Sequence, residues 1–153
     1  MEQAQVREIG RLLSVKPNET AEATAKLYAE RDALRLRVET LGMRLFEAEA
    51  QREQGKRARL VVADMLSAGQ LRRAAGLLAE GAALALVLAP REDGWSFALS
   101  AQETDVRGAT KALCARFGGK GGGPKDMTQG VLGKASPEEI REELKKQIKE
   151  TEA

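Results

Sequence analysis

The sequence predicts an α+β fold, in which an N-terminal helical hairpin or coiled coil precedes a small α/β domain with a mixed sheet and a C-terminal helix. Residues 1–57 are rich in Glu, Arg, Ala and Leu at helical spacing, whereas β-branched and alternating runs follow from residue 58. The last segment carries strong helix-capping signals. We therefore expect a helical part over residues 1–57 and a globular part over residues 58–153.

The helical part is expected to contain two helices. A short first helix should end between Ser14 and Pro17, because proline disfavours helical geometry in the residue before it. A second helix should begin near Asn18 or Thr20, either of which can cap it, and run for about nine turns.

Apolar residues recur along this long helix at heptad spacing, and such a seam requires a partner. The first helix folded back as a hairpin and the same helix from a second chain are both compatible with the spacing. If the seam pairs two chains, these residues mediate dimerisation: Leu27, Leu34, Val38, Leu41 and Leu45.

The globular part begins with signals for a β-α-β-β-α order. A β-branched run at residues 60–62 predicts the first strand, and Ser67 with Gln70 forms a capping box for the helix that follows. Residues 82–89 are apolar on both faces, as is typical of a buried strand. This order predicts a mixed sheet with a parallel crossover and helices packed against it.

The second half of the globular part continues with turn and cap signals. Asp93-Gly94 indicates a tight turn before an alternating strand that starts at Trp95. Thr104 is expected to cap the next helix. Ser136 with Glu139 forms a second capping box, which predicts the C-terminal helix.

The composition excludes several catalytic chemistries. The chain has no His and one Cys, Cys114, so it contains neither a Ser-His-Asp nor a Cys-His pair and no imidazole metal ligand. We expect a binding protein without a metal or cofactor. The longest apolar stretch, residues 81–90, is far shorter than the roughly 20 residues that span a bilayer, and no signal peptide is recognisable. A cytoplasmic protein without membrane contact is the simplest expectation.

The least ordinary feature is a glycine-rich segment, expected to be a loop over residues 118–133. Its backbone N–H groups can cradle an anion, most commonly phosphate. The spacing matches neither the P-loop nor the dinucleotide-binding fingerprint, which disfavours nucleotide hydrolysis. A flexible linker is the alternative interpretation. Five glycines occupy six positions: Gly118, Gly119, Gly121, Gly122 and Gly123.

Basic residues concentrate around these glycines. Cations and backbone donors could jointly contact a nucleic-acid backbone there, although a solvated helix face is the alternative. Trp95 and Phe97 are expected in the core rather than as base-stacking platforms, and Cys114 is expected to be a small packing residue. The candidate phosphate-binding cations are Arg107, Lys111, Arg116, Lys120 and Lys125.

The run GGKGGGPKDMTQG, from Gly118 to Gly130, resembles the glycine-rich signature of the DHH-associated C-terminal domain. The version it resembles, called C-Ala-like, ends alanyl-tRNA synthetases and long-form alanyl-tRNA editing proteins. Thr128 stands where alanine is usual in that signature. The preceding long helix and the strand order are similar as well, so the resemblance covers nearly the whole chain.

The resemblance implies a non-catalytic C-terminal domain that binds tRNA, joins subunits and assists the clearance of mischarged alanine tRNA. In that family the domain follows a zinc-dependent editing module, whose histidine ligands cannot exist in this chain. The resemblance does not distinguish a synthetase parent from a free-standing editing protein. It assigns the tRNA-facing loop to Gly118, Gly119, Lys120, Gly121, Gly122, Gly123 and Lys125.

Two alternatives remain open at this stage. The chain could be a purely structural dimerisation and packing domain, or the substrate-binding domain of a DHH-type phosphoesterase. In those phosphoesterases a histidine that contacts substrate follows the glycines, and Pro124 occupies that position here. This difference opposes a nuclease-type role.

Overall fold

The structure, a computed structural model, describes residues 2–152 apart from the side chain of Glu152. The chain divides into two compact units, the first reaching Val38 and the second starting at Glu39. The long helix α2, Thr20–Glu53, contributes residues to both units. Its 34 residues agree with the predicted nine turns.

The first unit contains helix α1, Glu2–Leu12, a 3-10 turn at Pro17–Glu19, and the beginning of α2. The predicted break before Pro17 is confirmed, and α2 begins at Thr20 as expected. Gly10 is buried in this unit, and a Cβ at this position would lie 3.0 Å from the Val15 carbonyl oxygen, so the close approach of the chain favours glycine. Leu27, Leu34 and Val38 nevertheless stay between 41% and 62% exposed, so α1 does not cover the heptad seam.

The second unit is built on a five-stranded sheet in the order β1-β2-β3-β5-β4. Strands β1 and β2 are parallel, and the other neighbours are antiparallel, which confirms the α+β class with a mixed sheet. The strands are β1 Ala58–Val62, β2 Leu84–Arg91, β3 Gly94–Ser100, β4 Gly119–Gly122 and β5 Met127–Leu132.

Three further helices pack on this sheet: α3 Ala68–Leu78, α4 Arg107–Phe117 and α5 Pro137–Glu152. Both predicted capping boxes are present. The Gln70 N–H donates to Ser67 Oγ at 3.4 Å, and the Ser67 N–H donates to Gln70 Oε1 at 3.0 Å. Ser136 and Glu139 form the same reciprocal pair at the start of α5.

The predicted cap of α4 was wrong. Thr104 does not cap the helix; instead Asp105 Oδ1 accepts the Arg107 N–H at 3.0 Å. Asp competes well for this role because its short carboxylate reaches a backbone N–H two residues further on. The helix consequently begins three residues after Thr104.

Each face of the sheet has its own apolar core. Helices α4 and α5 cover one face, with Leu113, Ile140 and Leu144 fully buried. Helix α3 and the C-terminal half of α2 cover the other, where Phe46 is 2% exposed. We call them the α4/α5 face and the α3 face.

The aromatic predictions are confirmed. Phe97 is completely buried, and Trp95 packs against the same core while its Nε1–H donates to the Ala135 carbonyl at 2.9 Å. Cys114 is half-buried against the core of the α4/α5 face.

The glycine-rich segment differs from the predicted loop. It forms a β-hairpin in which β4 pairs with β5, and β5 in turn pairs with β3. Glycine is unfavourable in strands by itself, but here it permits a close approach of two backbones that side chains would prevent. Strand β4 is thus an edge of the sheet, opposite to β1.

Candidate nucleic-acid interface

The β4–β5 hairpin is held in place in part by its backbone. Its turn, Gly123 to Asp126, is fastened to two other elements. The Val106 N–H donates to the Lys125 carbonyl at 2.8 Å, and Ser100 Oγ donates to the Asp126 carbonyl at 3.1 Å. The glycine-rich segment is therefore a fixed surface and not a flexible linker.

The packing of the fold requires glycine at Gly121 but not at its neighbour. A Cβ on Gly121 would lie 2.6 Å from Cζ of Phe97, whose ring fills the space beneath β4. A Cβ on Gly122 would meet no atom within 4 Å, and the backbone of Gly122 is not in the left-handed region. Gly122 therefore leaves an open surface that another molecule can approach.

The strand register identifies which face of the hairpin is open. Directly paired residues of antiparallel strands project to the same face. Gly122 is paired with Gln129 of β5, and Gln129 is paired with Ala98 of β3, which belongs to the core of the α3 face. Lys120, two residues before Gly122, is paired with Val131. Lys120 and Gly122 thus belong to the α3 face.

A cleft of about 320 Å³ lies on this face between the first turn of α3 and strands β2, β3 and β5. Its lining includes Ala68, Ser96, Gln129 and Gly130. The Gln129 side-chain amide donates to the Ala68 carbonyl at 3.3 Å, which joins the hairpin to α3. Sequence reasoning did not single out Gln129, although the alternation in β5 could have placed it opposite to the buried Thr128.

Two of the predicted cations are held by carboxylates. Arg107 pairs with Asp105 at 2.6 Å, and Arg116 pairs with Glu143 of α5 at 2.6 Å. Hydrogen bonds from the Arg107 side chain and backbone lower the pKa of Asp105 to about 2, and the charge of Lys125 also lowers it. Asp105 therefore stays ionised and partly neutralises this end of α4.

The other three predicted cations, Lys111, Lys120 and Lys125, are exposed, and no ion pair of theirs occurs in the described part of the chain. The structure brings Lys125 near Arg107 through their shared neighbour Asp105. It does not bring all the predicted cations together. Lys120 belongs to the α3 face, whereas Lys111 lies on α4, which covers the opposite face.

The predicted glycines also separate by position. Gly119, Gly121 and Gly122 lie in β4, Gly118 precedes it with φ of 73°, and Gly123 opens the turn. All five are exposed, so the hairpin presents a nearly bare backbone along the edge of the sheet. Lys120 supplies its single side chain within β4.

The predicted dimerisation residues remain uncovered in the single chain. In the second unit Leu41 and Leu45 are 46% and 64% exposed. Other residues of α2 in this unit, including Gly42 and Phe46, are buried. An apolar stripe is therefore left on the helix.

Neither a metal centre nor a membrane segment is found among residues 2–152. No group of three or more carboxylate or thiol side chains is arranged to hold a metal ion in the part of the chain that the structure describes. None of the helices described is both long and apolar enough to cross a bilayer.

Comparison with known proteins identifies the second unit. The family model described as the DHHA1 domain matches residues 57–150. No curated protein matches the sequence.

Several solved structures share the fold. The C-Ala domain of Aquifex aeolicus alanyl-tRNA synthetase is similar with a TM-score of 0.51 at 16% identity, over 63% of this chain and 91% of that chain. RecJ of Thermus thermophilus in complex with Mn²⁺ has a TM-score of 0.58 at 16% identity, over 86% of this chain and 20% of that chain. Another exonuclease RecJ bound to manganese has a TM-score of 0.60 at 15% identity, over 93% of this chain and 36% of its own.

Proposed function

Because the chain belongs to the DHHA1 domain family, we propose that it is a non-catalytic domain that binds tRNA through the β4–β5 hairpin and assists the clearance of mischarged alanine tRNA. On this proposal the domain serves an alanyl-tRNA editing protein or an alanyl-tRNA synthetase in the cytoplasm. The catalytic editing module belongs to the full-length parent.

The observation that carries the proposal is the open surface at Gly122. Neither packing nor backbone conformation requires glycine there, yet the position is bare and lies two residues from Lys120, whose side chain forms no ion pair within residues 2–152. A bare strand edge lets a phosphate approach backbone N–H groups closely, and a neighbouring lysine contributes a positive charge. The likeness to the C-Ala domain supports tRNA as the ligand.

Charge reversal at the hairpin tests this proposal. We expect Lys120→Glu with Lys125→Glu to weaken binding of alanine tRNA by about tenfold or more at low salt, because two phosphate contacts become repulsive. The matched control is Lys134→Glu with Lys146→Glu, which changes the net charge equally at exposed positions outside strands β4 and β5 and the turn between them. Binding is measured for alanine tRNA, a non-cognate tRNA and duplex DNA.

The outcomes separate the remaining functions. Equal affinity of the hairpin variant and the control would refute the hairpin as the tRNA site. Absence of binding to all three nucleic acids would favour a purely structural domain. In the full-length parent, the hairpin variant should raise KM for mischarged alanine tRNA and leave kcat unchanged, because the chemistry takes place elsewhere.

We also propose that α2 joins two copies of the chain. The exposure of Leu27, Leu34, Val38, Leu41 and Leu45 at heptad spacing supports this, since an apolar heptad seam packs against a partner helix. We expect Leu34→Asp with Leu41→Asp to abolish a concentration-dependent increase in mass in sedimentation experiments. A wild-type chain that stays monomeric at all concentrations would refute dimerisation.

A second candidate function is substrate binding for a DHH-type phosphoesterase. The extent of the RecJ likeness favours it, because RecJ structures cover up to 94% of this chain. Pro124 opposes it, since the corresponding position in such enzymes supplies a substrate-contacting histidine. Tighter binding of single-stranded DNA than of tRNA would support this candidate over the first.

A further inference from the structure

A second cationic site lies far from the hairpin, where β1 begins and α5 ends. A cavity of about 470 Å³ opens there in the second unit. Its apolar floor contains Ala58 and Ile148, both buried. All its remaining lining residues are cationic, namely Lys56, Arg57, Arg141, Lys145 and Lys149.

Part of this cationic wall is fixed by Glu53, the buried carboxylate near the end of α2. Glu53 Oε2 accepts from Arg141 Nη1 at 2.6 Å, and Glu53 Oε1 accepts from Lys56 Nζ at 2.7 Å. Arg141 Nη2 also donates to the Leu60 carbonyl at 3.2 Å. Two of the five cations are thus held in position before any ligand arrives, and the carboxylate of Glu53 neutralises one of their two charges.

The lysines of α5 are available to a ligand. Lys145 forms an exposed ion pair with Glu142 at 2.9 Å, which a phosphate can replace at little cost because exposed pairs contribute little stability. No ion pair of Lys149 occurs in the described part of the chain. The cavity therefore combines two fixed cations with two adaptable ones above an apolar floor.

The location of the cavity relates it to the hairpin. Strands β1 and β4 are the two edges of the sheet, so about four spacings of about 4.8 Å, roughly 20 Å in total, separate them along the sheet. The floor residues Ala58 and Ile148 belong to the core of the α4/α5 face, whereas Lys120 and Gly122 belong to the α3 face, so a ligand of both sites has to pass round one edge of the sheet. An extended polyanion can reach both edges, whereas a single small ligand cannot. Because both sites belong to one compact unit, their separation is set by the sheet.

We propose that this cavity binds a nucleotide unit of the same RNA that contacts the hairpin, with the phosphate on the cations and the base on the apolar floor. Cavities of a few hundred cubic ångströms with an apolar lining suit a group of this size. Arginine guanidinium planes stack on bases and pair with phosphates. The inference rests on the proposed function, because it assumes that the hairpin binds RNA.

The test compares two double variants of equal charge. Lys145→Gln with Lys149→Gln removes the two adaptable cations, and glutamine preserves the helix because its helix propensity is similar to that of lysine. Lys146→Gln with Lys134→Gln is the matched control at exposed positions that do not line the cavity. Affinity for alanine tRNA is measured across a salt series, and thermal unfolding confirms that all variants fold.

We expect the cavity variant to bind tRNA about tenfold more weakly than the control, with a salt dependence reduced by about two phosphate contacts. The methyl resonances of Ile148 should shift when tRNA is added to the wild type. Equal affinity of the two double variants, or an unshifted Ile148 at saturating tRNA, would overturn the inference.

Failure of the inference and failure of the proposed function are distinguishable. If Lys120→Glu with Lys125→Glu weakens binding and the cavity variant does not, the hairpin site stands and the cavity inference falls. If only the cavity variant weakens binding, RNA contacts the cavity and the hairpin assignment falls. If the cavity instead receives an acidic protein segment, neither its variant nor Ile148 responds to RNA, which also overturns the inference.

Discussion

The adjacent glycines Gly121 and Gly122 allow the demands of the fold to be separated from the demands of the ligand. Replacement of each by alanine adds one methyl group at positions one residue apart on the same strand. Because strand residues alternate between faces, the two methyl groups point in opposite directions. The Gly121 methyl enters the core and the Gly122 methyl enters open space.

The magnitudes follow from these surroundings. In Gly121→Ala the new Cβ lies 2.6 Å from Phe97 Cζ and 3.1 Å from the Gln129 carbonyl oxygen, so the buried ring or the backbone must move. Overpacking of this kind costs about 1–3 kcal/mol, which corresponds to a fall in Tm of roughly 4–12 °C for a unit of this size. Gly122→Ala should leave the free energy of unfolding unchanged or raise it by up to about 1 kcal/mol, because alanine restricts the unfolded chain.

The binding result should be different. We expect Gly122→Ala to weaken tRNA binding by about tenfold, equivalent to about 1.4 kcal/mol, because the methyl group holds the phosphate away from the strand. Thermal unfolding by circular dichroism and tRNA affinity by fluorescence anisotropy measure the two effects on the same samples. A Gly122→Ala variant that binds tRNA like the wild type would refute the assignment of this edge as the ligand surface. A Gly121→Ala variant with unchanged Tm would refute the packing argument.

Two further predictions concern the stability of the second unit. Burial raises the pKa of Glu53, but hydrogen bonds from Arg141, Lys56 and the Leu60 N–H outweigh it and lower the pKa from 4.5 to about 2. Since the folded pKa is depressed, the resulting stability, roughly 1–3 kcal/mol, is present above pH 4.5 and lost as the pH falls towards 2. The free energies of urea unfolding of the wild type and Glu53→Gln should therefore converge at low pH, and a constant difference between them would contradict this. Buried Arg59 donates to four carbonyls, so Arg59→Lys should lower the free energy of unfolding by about 2 kcal/mol, whereas Arg72→Lys on the exposed side of α3 should change it little.

Local sequence signals predicted the elements that depend on local chemistry. The capping boxes at Ser67 and Ser136 act within one helical turn, so four residues are enough to recognise them. The hairpin of β2 and β3 was likewise visible from Asp93-Gly94 and the alternation after it. Thr104 was the exception, because Asp105 next to it competed for the same role.

The glycine hairpin was not predictable as strands, because glycine carries no apolar alternation. Strand β4 forms because β5 pairs with it and because Gly121 leaves room for the ring of Phe97 beneath it. Phe97 lies more than 20 residues before Gly121 in the chain, so this contact cannot be recognised locally. The ion pair between Glu143 and Arg116 was not predictable from local sequence either, because 27 residues separate the two side chains. Charge counts near the glycines could identify candidate cations but not the face each one occupies.

The geometry of the hairpin also bears on what the domain can recognise. Within β4 the single side chain is Lys120, a point charge that contacts phosphate but does not distinguish bases. On the same face the amide of Gln129 is already engaged with the Ala68 carbonyl. A surface of bare backbone and one lysine responds to the shape and phosphate positions of an RNA. If this hairpin is the tRNA site, preference for alanine tRNA must come from another part of the full-length parent, and the isolated chain should bind cognate and non-cognate tRNA with affinities within about threefold of each other.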